Sequence, residues 1–383
     1  MLERGDRFSN DELHGDCSMK TMVELISWFQ MEYPSLVRDM KQSNHHRTYM
    51  DDIRLELKNN GTAQKDHRLL SSPTDLNPYH LESDVFTHTM MVCKQAENYP
   101  YLVQIAALLH DIGKPSTRKV NPKNGRVSFY NHDAVSAFMS LEITKKLGFC
   151  ESERAHVFNL IALHTQIYKL SIEQLAKLYD VELVVHLVCL GNADHAGRFH
   201  TAGEAVIPAP LDIMQHMGKA KRETTKEVHI LCGLPASGKS TFVMGQEDKG
   251  INLFKISRDS CLLKVAVETG AREKGDKYND VWEKVNQKLV DKEVQLRFKE
   301  STDRSKVVVD MTHMSKKSRR RSLSHFGDEY KKICHVFLTD LETMYLRNSE
   351  RTGKVIGQSV FDKMIRAFYP PTLEEFDEIE YHF

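Results

Sequence analysis

The sequence predicts two domains, an all-helical one followed by an α/β one with a parallel sheet. Three observations carry the prediction. The chain has 383 residues, and at roughly 100–200 residues per domain two is the expected count. From position 85 to about 200, apolar residues recur with helical spacing in blocks of roughly 12–20 residues. Beyond 227, short runs rich in Val, Ile and Phe alternate with helical patterns, as strands do when covering helices connect them.

Apolar residues make up 40%, charged residues 28%, and the formal net charge is zero. That balance suits a folded soluble protein, and any polyanion site must be local, since no global basic field exists. The seven cysteines, at 17, 93, 150, 189, 232, 261 and 334, form no Cys-x-x-Cys. Their odd count and scattered spacing read as reduced thiols. The polar start "MLERGDRFSNDELHGD" is no signal peptide, and no apolar run nears the roughly 18 residues that span a bilayer. The expectation is a cytoplasmic protein with no membrane partner.

In chain order, residues 1–83 read as an N-terminal helical extension packing on the helical domain. "MKTMVELISWFQMEY" has helical periodicity, with Pro34 near its end. "MDDIRLELKNNG" is a second helix closed by Asn60-Gly61, and "LLSSPTDLNPYHLES" is a loop. Residues 84–205 form the helical domain, with a short extended piece in "GRVSFYNHDAV". Residues 206–226, with two prolines and then a basic-polar run, form a linker. Residues 227–383 form the α/β domain, with strands "VHILCGL", "NLFKIS", "KVVVD" and "CHVFLT". "VWEKVNQKLVDKEVQLRFKES" reads as helix between them.

The helical domain carries a set of metal-type donors. They are His88 in "VFTHTMMV", His110 and Asp111 in "AALLHDIGKP", His132 in "FYNHDAVSAF", His164 in "LIALHTQIY" and Asp194 in "LGNADHAGR". Each lies in an apolar helical context or at a helix end, where an inward polar group needs a partner. Four imidazoles and two carboxylates can hold two divalent ions if Asp111 bridges them. Mixed nitrogen and oxygen donors suit Mn, Fe, Co, Ni or Zn better than Ca. Two such ions can share a water and clamp a phosphate. The bland alternative is a group of satisfied core or helix-end histidines.

"HTMMV", "AALLHDIGKP", "NHDAVSA", "ALH" and "NADHAG", in that order, resemble the two-metal branch of the HD phosphohydrolase superfamily. The resemblance covers about residues 84–200 and implies an all-α HD domain that hydrolyses phosphoesters. It implies one ion on His88, His110, Asp111 and Asp194, and a second on Asp111, His132 and His164. Lys114 would meet a phosphate oxygen, with a solvated helix-end lysine as the alternative. His80, Arg118 and Arg198 are weaker phosphate candidates.

The α/β domain opens with a phosphate cradle. "GLPASGKST" follows the strand "VHILC" and has the Walker A spacing Gly233-x-x-x-x-Gly238-Lys239-Ser240. Glycines let the backbone turn its N–H groups inward, and the following helix adds its positive dipole end. Lys239 reaches the β and γ phosphates of ATP and Ser240 binds Mg2+, with Ser237 and Thr241 in the same cradle. Asp259, after the second strand, stands where a carboxylate can take a proton from an attacking hydroxyl. A Mg2+-organising or structural Asp is the alternative. Arg347 and Arg351, four apart in a segment read as helix, would share a face and close over the triphosphate; a solvated pair is the alternative.

Asp259 in "SRD", Asp310-x-Thr312-His313 and Arg347-Asn348-x-x-Arg351 resemble the kinase domain of phage polynucleotide 5′-kinases, over about 228–370. The resemblance implies transfer of the ATP γ phosphate to a 5′-hydroxyl end, with Asp259 as general base and Arg347 and Arg351 as lid arginines. Three positions depart from it: Ser257 and His313 each replace an Asn, and Leu262 replaces the arginine that grips the acceptor phosphate. Lys264, or the run Lys316, Lys317, Arg319, Arg320 and Arg321, would have to replace that grip, unless the run is only a solvated helix face.

An all-α HD domain followed by an α/β P-loop kinase domain resembles the bifunctional end-healing enzymes of bacteria and phages. That implies removal of 2′,3′-cyclic or 3′ phosphates, phosphorylation of 5′-OH ends of RNA or DNA, and a separate ligase downstream, in a bacterial or phage-infected cell. Other readings stay open: a nucleotide phosphohydrolase fused to a small-molecule kinase, an ATP-sensing P-loop domain that regulates an HD hydrolase, or an RNA-binding module. The sequence also leaves a homo-oligomer open.

Overall fold

A computed structural model of the chain describes residues 20–43, 84–120, 127–198, 224–273 and 276–383. The helix expected at 50–61, the loop after it, His80, and the linker expected at 206–226, except for 224–226, lie outside the described residues.

Helix α1 (Met22–Glu32) starts where Thr21 and Glu24 cap each other. Thr21 Oγ1 accepts from Glu24 N–H at 3.3 Å, and Glu24 Oε2 accepts from Thr21 N–H at 2.7 Å. Such a cap contributes about 1 kcal/mol. Pro34 opens α2 (Pro34–Gln42), where its missing N–H costs nothing. Helix α2 packs on α3 (Val85–Ala96) and on the short α5 (Lys114–Thr117) of the next domain.

Between them lies α4 (Tyr101–Leu109). Its run Ile105–Leu109 is fully buried, so it forms the centre of the helical domain. Around it stand α6 (His132–Lys146), α7 (Glu151–Leu163) and α9 (Val181–Ala196), with α8 (Ile172–Leu178) before the last. The expected extended piece is β2 (Val127–Ser128), antiparallel to β1 (Lys119–Val120). Gly113 explains the break after His110-Asp111. A Cβ there would lie 2.6 Å from Ser136 N and 2.8 Å from His132 O. Only glycine lets the end of α4 approach α6 this closely.

The second domain is a five-stranded, all-parallel sheet in the order β4-β5-β3-β6-β7. The strands are β3 (Lys226–Gly233), β4 (Phe254–Ser257), β5 (Lys306–Asp310), β6 (Tyr330–Phe337) and β7 (Glu378–His382). The first four match the apolar runs read from sequence. The fifth, "EIEYH", escapes that reading because it is an edge strand, half-buried throughout, and has no continuous apolar run. The segment read as one helix at 281–301 is instead two, α12 (Tyr278–Lys284) and α13 (Gln287–Glu300). Asn286 separates them, its side chain capping Lys288 N–H.

The domains touch along α6 and α7. Helix α6 packs on α15 (Leu341–Ser349) and α16 (Gln358–Arg366), and α7 on β7. Phe138, Phe158 and Phe368 meet edge-to-face with centroids 5.2–5.4 Å apart. Each such pair adds about 0.5–1.5 kcal/mol beyond area burial. Asn159 Nδ2 donates to Tyr381 Oη at 2.9 Å across the same seam.

Candidate active sites

The six donors of the helical domain converge. His88 comes from α3, His110 and Asp111 follow α4, His132 begins α6, His164 follows α7, and Asp194 lies in the last turn of α9. The Asp111 carboxylate divides them into two groups. Its Oδ2 is 3.2 Å from His110 Nε2 and 3.5 Å from His88 Nε2. Its Oδ1 is 3.2 Å from His132 Nε2 and 3.9 Å from His164 Nε2. Asp194 Oδ1 joins the first group, 3.1 Å from His88 Nε2.

Backbone contacts orient the rings. Nδ1 of His110, His132 and His164 meets the carbonyls of Ala107, Phe129 and Ile161 at 2.8, 2.8 and 2.7 Å. Each Nδ1 therefore carries the proton, and each Nε2 lone pair points inward. His132 and His164 then face each other, nitrogen to nitrogen, at 3.2 Å. Burial, with His132 and His110 nearby, pushes His164 down to about 3, so it stays neutral. Burial raises Asp111, but His110 and Lys114 outweigh it and hold the carboxyl well below its ordinary range. Buried imidazole nitrogens aimed at each other around carboxylates fit divalent cations, and two such groups share Asp111.

Lys114 is buried, with Nζ 2.6 Å from Asp111 Oδ2, so it is no solvated helix-end lysine. Arg198 serves Asp194 instead of facing outward for a phosphate. Its Nε donates to Asp194 Oδ1 at 3.1 Å and its Nη2 to Oδ2, and Tyr168 Oη donates to the same Oδ2 at 2.8 Å. Arg118 keeps Nε and Nη2 buried without hydrogen-bond partners among the described residues. Tyr168 went unread in the sequence, since nothing in its spacing marks it as the orienter of Asp194.

In the second domain the cradle lies at the end of the central strand β3, beside the point where strand order reverses. Gly238 adopts φ +99°, which favours glycine, and α10 (Lys239–Asp248) begins immediately after it. Lys239 Nζ donates to Gly233 O at 2.9 Å and to Leu234 O at 2.5 Å. Burial pushes this lysine down to about 8 against the pull of Asp310. A cleft of about 1500 Å³ opens over the loop. Ser237, Ser240, Thr241, Asp259, Arg347 and Arg351 all line it.

Arg347 and Arg351 reach the cleft by a different route from the one expected. Helix α15 ends at Ser349, so they do not share one helical face. The Asn348 side chain ends the helix by bonding both the Ile356 N–H, at 3.1 Å, and its carbonyl, at 2.9 Å. Arg351 Nη1 is buried with no hydrogen-bond partner among the described residues.

Asp259, in the first turn of α11 (Arg258–Glu268), is held by Lys354 Nζ and Tyr278 Oη. Burial pushes its carboxyl up, but Lys354 and Tyr278 together bring it below the ordinary value. No local motif marks Lys354 or Tyr278 as partners of Asp259. Lys354 lies 95 residues from its partner, and only the fold joins them.

The acceptor candidates separate. Lys264 pairs with Glu293 at 2.7 Å and does not line the cleft. Arg319 is fully buried, bound to Glu375 at 2.9 Å and to the Tyr369 carbonyl at 2.8 Å, so it is structural. Lys316 pairs with Glu374. Lys317 and Arg321, on α14 (Lys316–Leu323), line the cleft, as do Trp282 and the stacked rings of Phe298 and His325. Leu262 is buried in the core. His313, at φ +44°, ties Leu231 O (2.9 Å) to Ser322 Oγ (2.9 Å).

Residues 85–232 match the HD domain family and residues 228–371 match the AAA domain family AAA_33. The overlap, 228–232, lies inside β3 and pairs with strands on both sides, so it belongs to the sheet. The A-adding tRNA nucleotidyltransferase of Deinococcus radiodurans is 33% identical over 90 residues, covering 22% of this chain and 20% of that protein. The chain thus spans about a fifth of that relative's length. It joins an HD phosphohydrolase domain to a P-loop kinase-like domain. No described helix is long and apolar enough to cross a membrane.

Proposed function

We propose that this enzyme heals broken nucleic-acid ends, of RNA in the first place. The HD domain removes a 2′,3′-cyclic or 3′ phosphate, and the P-loop domain phosphorylates the 5′-hydroxyl, leaving ends that a separate ligase joins. The observation that carries the reading is the make-up of the cleft. Its volume of about 1500 Å³ exceeds the roughly 300–1,000 Å³ of ordinary small-ligand pockets. Beyond the ATP cradle it offers the rings of Trp282 and of His325, the latter backed by the buried Phe298, beside cations (Lys317, Arg321), the combination on which bases stack and phosphates rest. Partial similarity to a protein named for acting on tRNA agrees with an RNA substrate.

In the HD domain, His88, His110, Asp111 and Asp194 would hold one ion, and Asp111, His132 and His164 the other. Bound there, the ions would supply an acidified water and neutralise phosphate charge. Lys114, buried beside Asp111, adds a positive charge for a phosphate oxygen. In the P-loop domain, backbone N–H groups, Lys239 and Ser240 orient MgATP. A carboxylate oxygen of Asp259 takes the proton of the 5′-hydroxyl as the hydroxyl oxygen bonds to the γ phosphorus and the bond from that phosphorus to the ADP oxygen breaks. Arg347 and Arg351 balance charge on the phosphoryl oxygens. Lys354 and Tyr278 keep Asp259 ionised.

A fused nucleotide phosphohydrolase and small-molecule kinase is the second reading, with which the zero formal charge is compatible. Incubating an RNA that carries 5′-OH and 2′,3′-cyclic phosphate ends with ATP and divalent ions, then resolving both termini, tests the proposal. Repair of both ends supports it; phosphorylation of free nucleosides in preference to the oligonucleotide overturns it.

A further inference from the structure

Away from the HD centre, and reaching the edge of the P-loop cleft at His382, three histidines lie side by side across the parallel sheet. Strand register places them there: Leu231 pairs with His335, His335 with Glu380, and Phe337 with His382. Facing residues on neighbouring strands share a side of the sheet, as do residues two apart on one strand. His229, His335, Glu380 and His382 therefore occupy one face. Phe242 of the P-loop helix rests on it, with centroids 4.6 Å from His335 and 5.0 Å from His382.

We propose that His335, Glu380 and His382 form a third divalent transition-metal site, independent of the HD centre. Three donor atoms converge. His335 Nδ1 is 3.0 Å from His382 Nε2 and 3.1 Å from Glu380 Oε2, and the last two atoms are 3.8 Å apart. Ligands held about 2.0–2.1 Å from a tetrahedral ion stand about 3.3–3.4 Å from one another, and these separations bracket that edge. The donor set, two imidazoles and one carboxylate, suits zinc, cobalt or nickel.

The surroundings are those of a built site. His335 Nε2 meets His229 Nδ1 at 2.9 Å, and His229 Nε2 looks toward Glu227 Oε2 at 3.7 Å. If His335 Nε2 keeps its proton for His229, its Nδ1 lone pair is left for an ion, and the carboxylate at the far end favours that tautomer. Phe242 and Phe337 cover one side with apolar rings. Glu380, with its side chain 43% exposed, leaves the other side open for entry and for a fourth ligand. A bound ion would pin the edge strand β7 to β6 directly beneath the P-loop helix.

Equilibrium dialysis of the full chain with Zn2+ in excess of the two ions of the HD centre, and with Co2+ as a spectroscopic probe, tests the site. The expected result is one zinc equivalent beyond those of the HD centre, which weakens at least tenfold in Glu380→Ala and in His335→Asn, while HD hydrolase activity stays unchanged. His229→Gln should weaken the same equivalent about 10–100-fold. Co2+ should give the visible absorption of a four-coordinate ion, lost in Glu380→Ala but kept in Asp111→Asn. Because His335 is buried, the conservative Glu380→Gln and a zinc-dependent rise in melting temperature serve as controls: the rise should be smaller in Glu380→Gln than in the wild type, with zinc at the HD centre accounting for the remainder. Zinc stoichiometry and affinity unchanged by all of these substitutions would overturn the proposal and leave a plain hydrogen-bonded row of imidazoles.

Discussion

The HD centre and the P-loop cleft are organised in opposite ways. In the HD centre, donors from five helical segments already lie within hydrogen-bonding or ion-pair distance, and Asp111 and His164 are buried. Helix packing fixes them, and backbone carbonyls set their tautomers. Around the P-loop, the groups line a wide cleft and hold one another: Lys239 folds onto loop carbonyls, and Asp259 onto Lys354. A catalytic metal centre gains from donors already fixed by packing and by contacts that orient their rings. Phosphoryl transfer needs groups that can change partners when a triphosphate and an acceptor enter.

The comparison breaks most readily at Asp111. Asp111→Ala takes a ligand from both groups at once, and hydrolase activity should fall at least about 10³-fold, corresponding to several kcal/mol of lost charge stabilisation. Kinase activity should persist. The substitution also strands Lys114, so Asp111→Asn, which keeps the volume, is the companion variant. Asp259→Asn should do the reverse, lowering kinase turnover about 10²–10⁴-fold with hydrolysis intact. Loss of both activities in either folded variant would show that the sites do not work separately.

Lys354→Met sharpens the contrast at smaller scale. Without its ammonium partner the Asp259 carboxyl moves up, so the acid limb of the kinase pH–rate profile shifts to higher pH. The plateau rate should drop less than in Asp259→Asn. A purely structural lysine would lower stability and leave the limb where it was.

The smallest effect concerns stability. Burial pushes His313 down to about 4 from 6.5. Between those values the unfolded chain takes up a proton that the folded chain refuses. Stability from this residue is therefore lost as pH falls from 6.5 to 4, by about 3 kcal/mol in total. In His313→Asn, denaturant unfolding should show a gentler loss over that window. Equal slopes in the two proteins would assign the acid sensitivity to other buried imidazoles.

Much of this molecule was legible in one dimension. The Walker A run is a local motif whose residues are neighbours, so spacing alone places Gly238, Lys239 and Ser240 at a strand end. "AALLHDIGKP" is similar: apolar residues bury α4, and Gly113 stops it against α6, delivering His110 and Asp111. The identities of the six metal-type donors were also readable, because polar residues in apolar helices need an inward partner. What spacing could not supply were contacts between distant segments. Lys354 and Tyr278 on Asp259, Tyr168 and Arg198 on Asp194, the burial of Arg319 against Glu375, and the histidine row across β3, β6 and β7 exist only after the chain packs. The sequence determined which side chains stand at element ends, because local periodicity and turn residues set those positions. Tertiary structure alone decided which of them meet, because register and helix packing depend on every element at once.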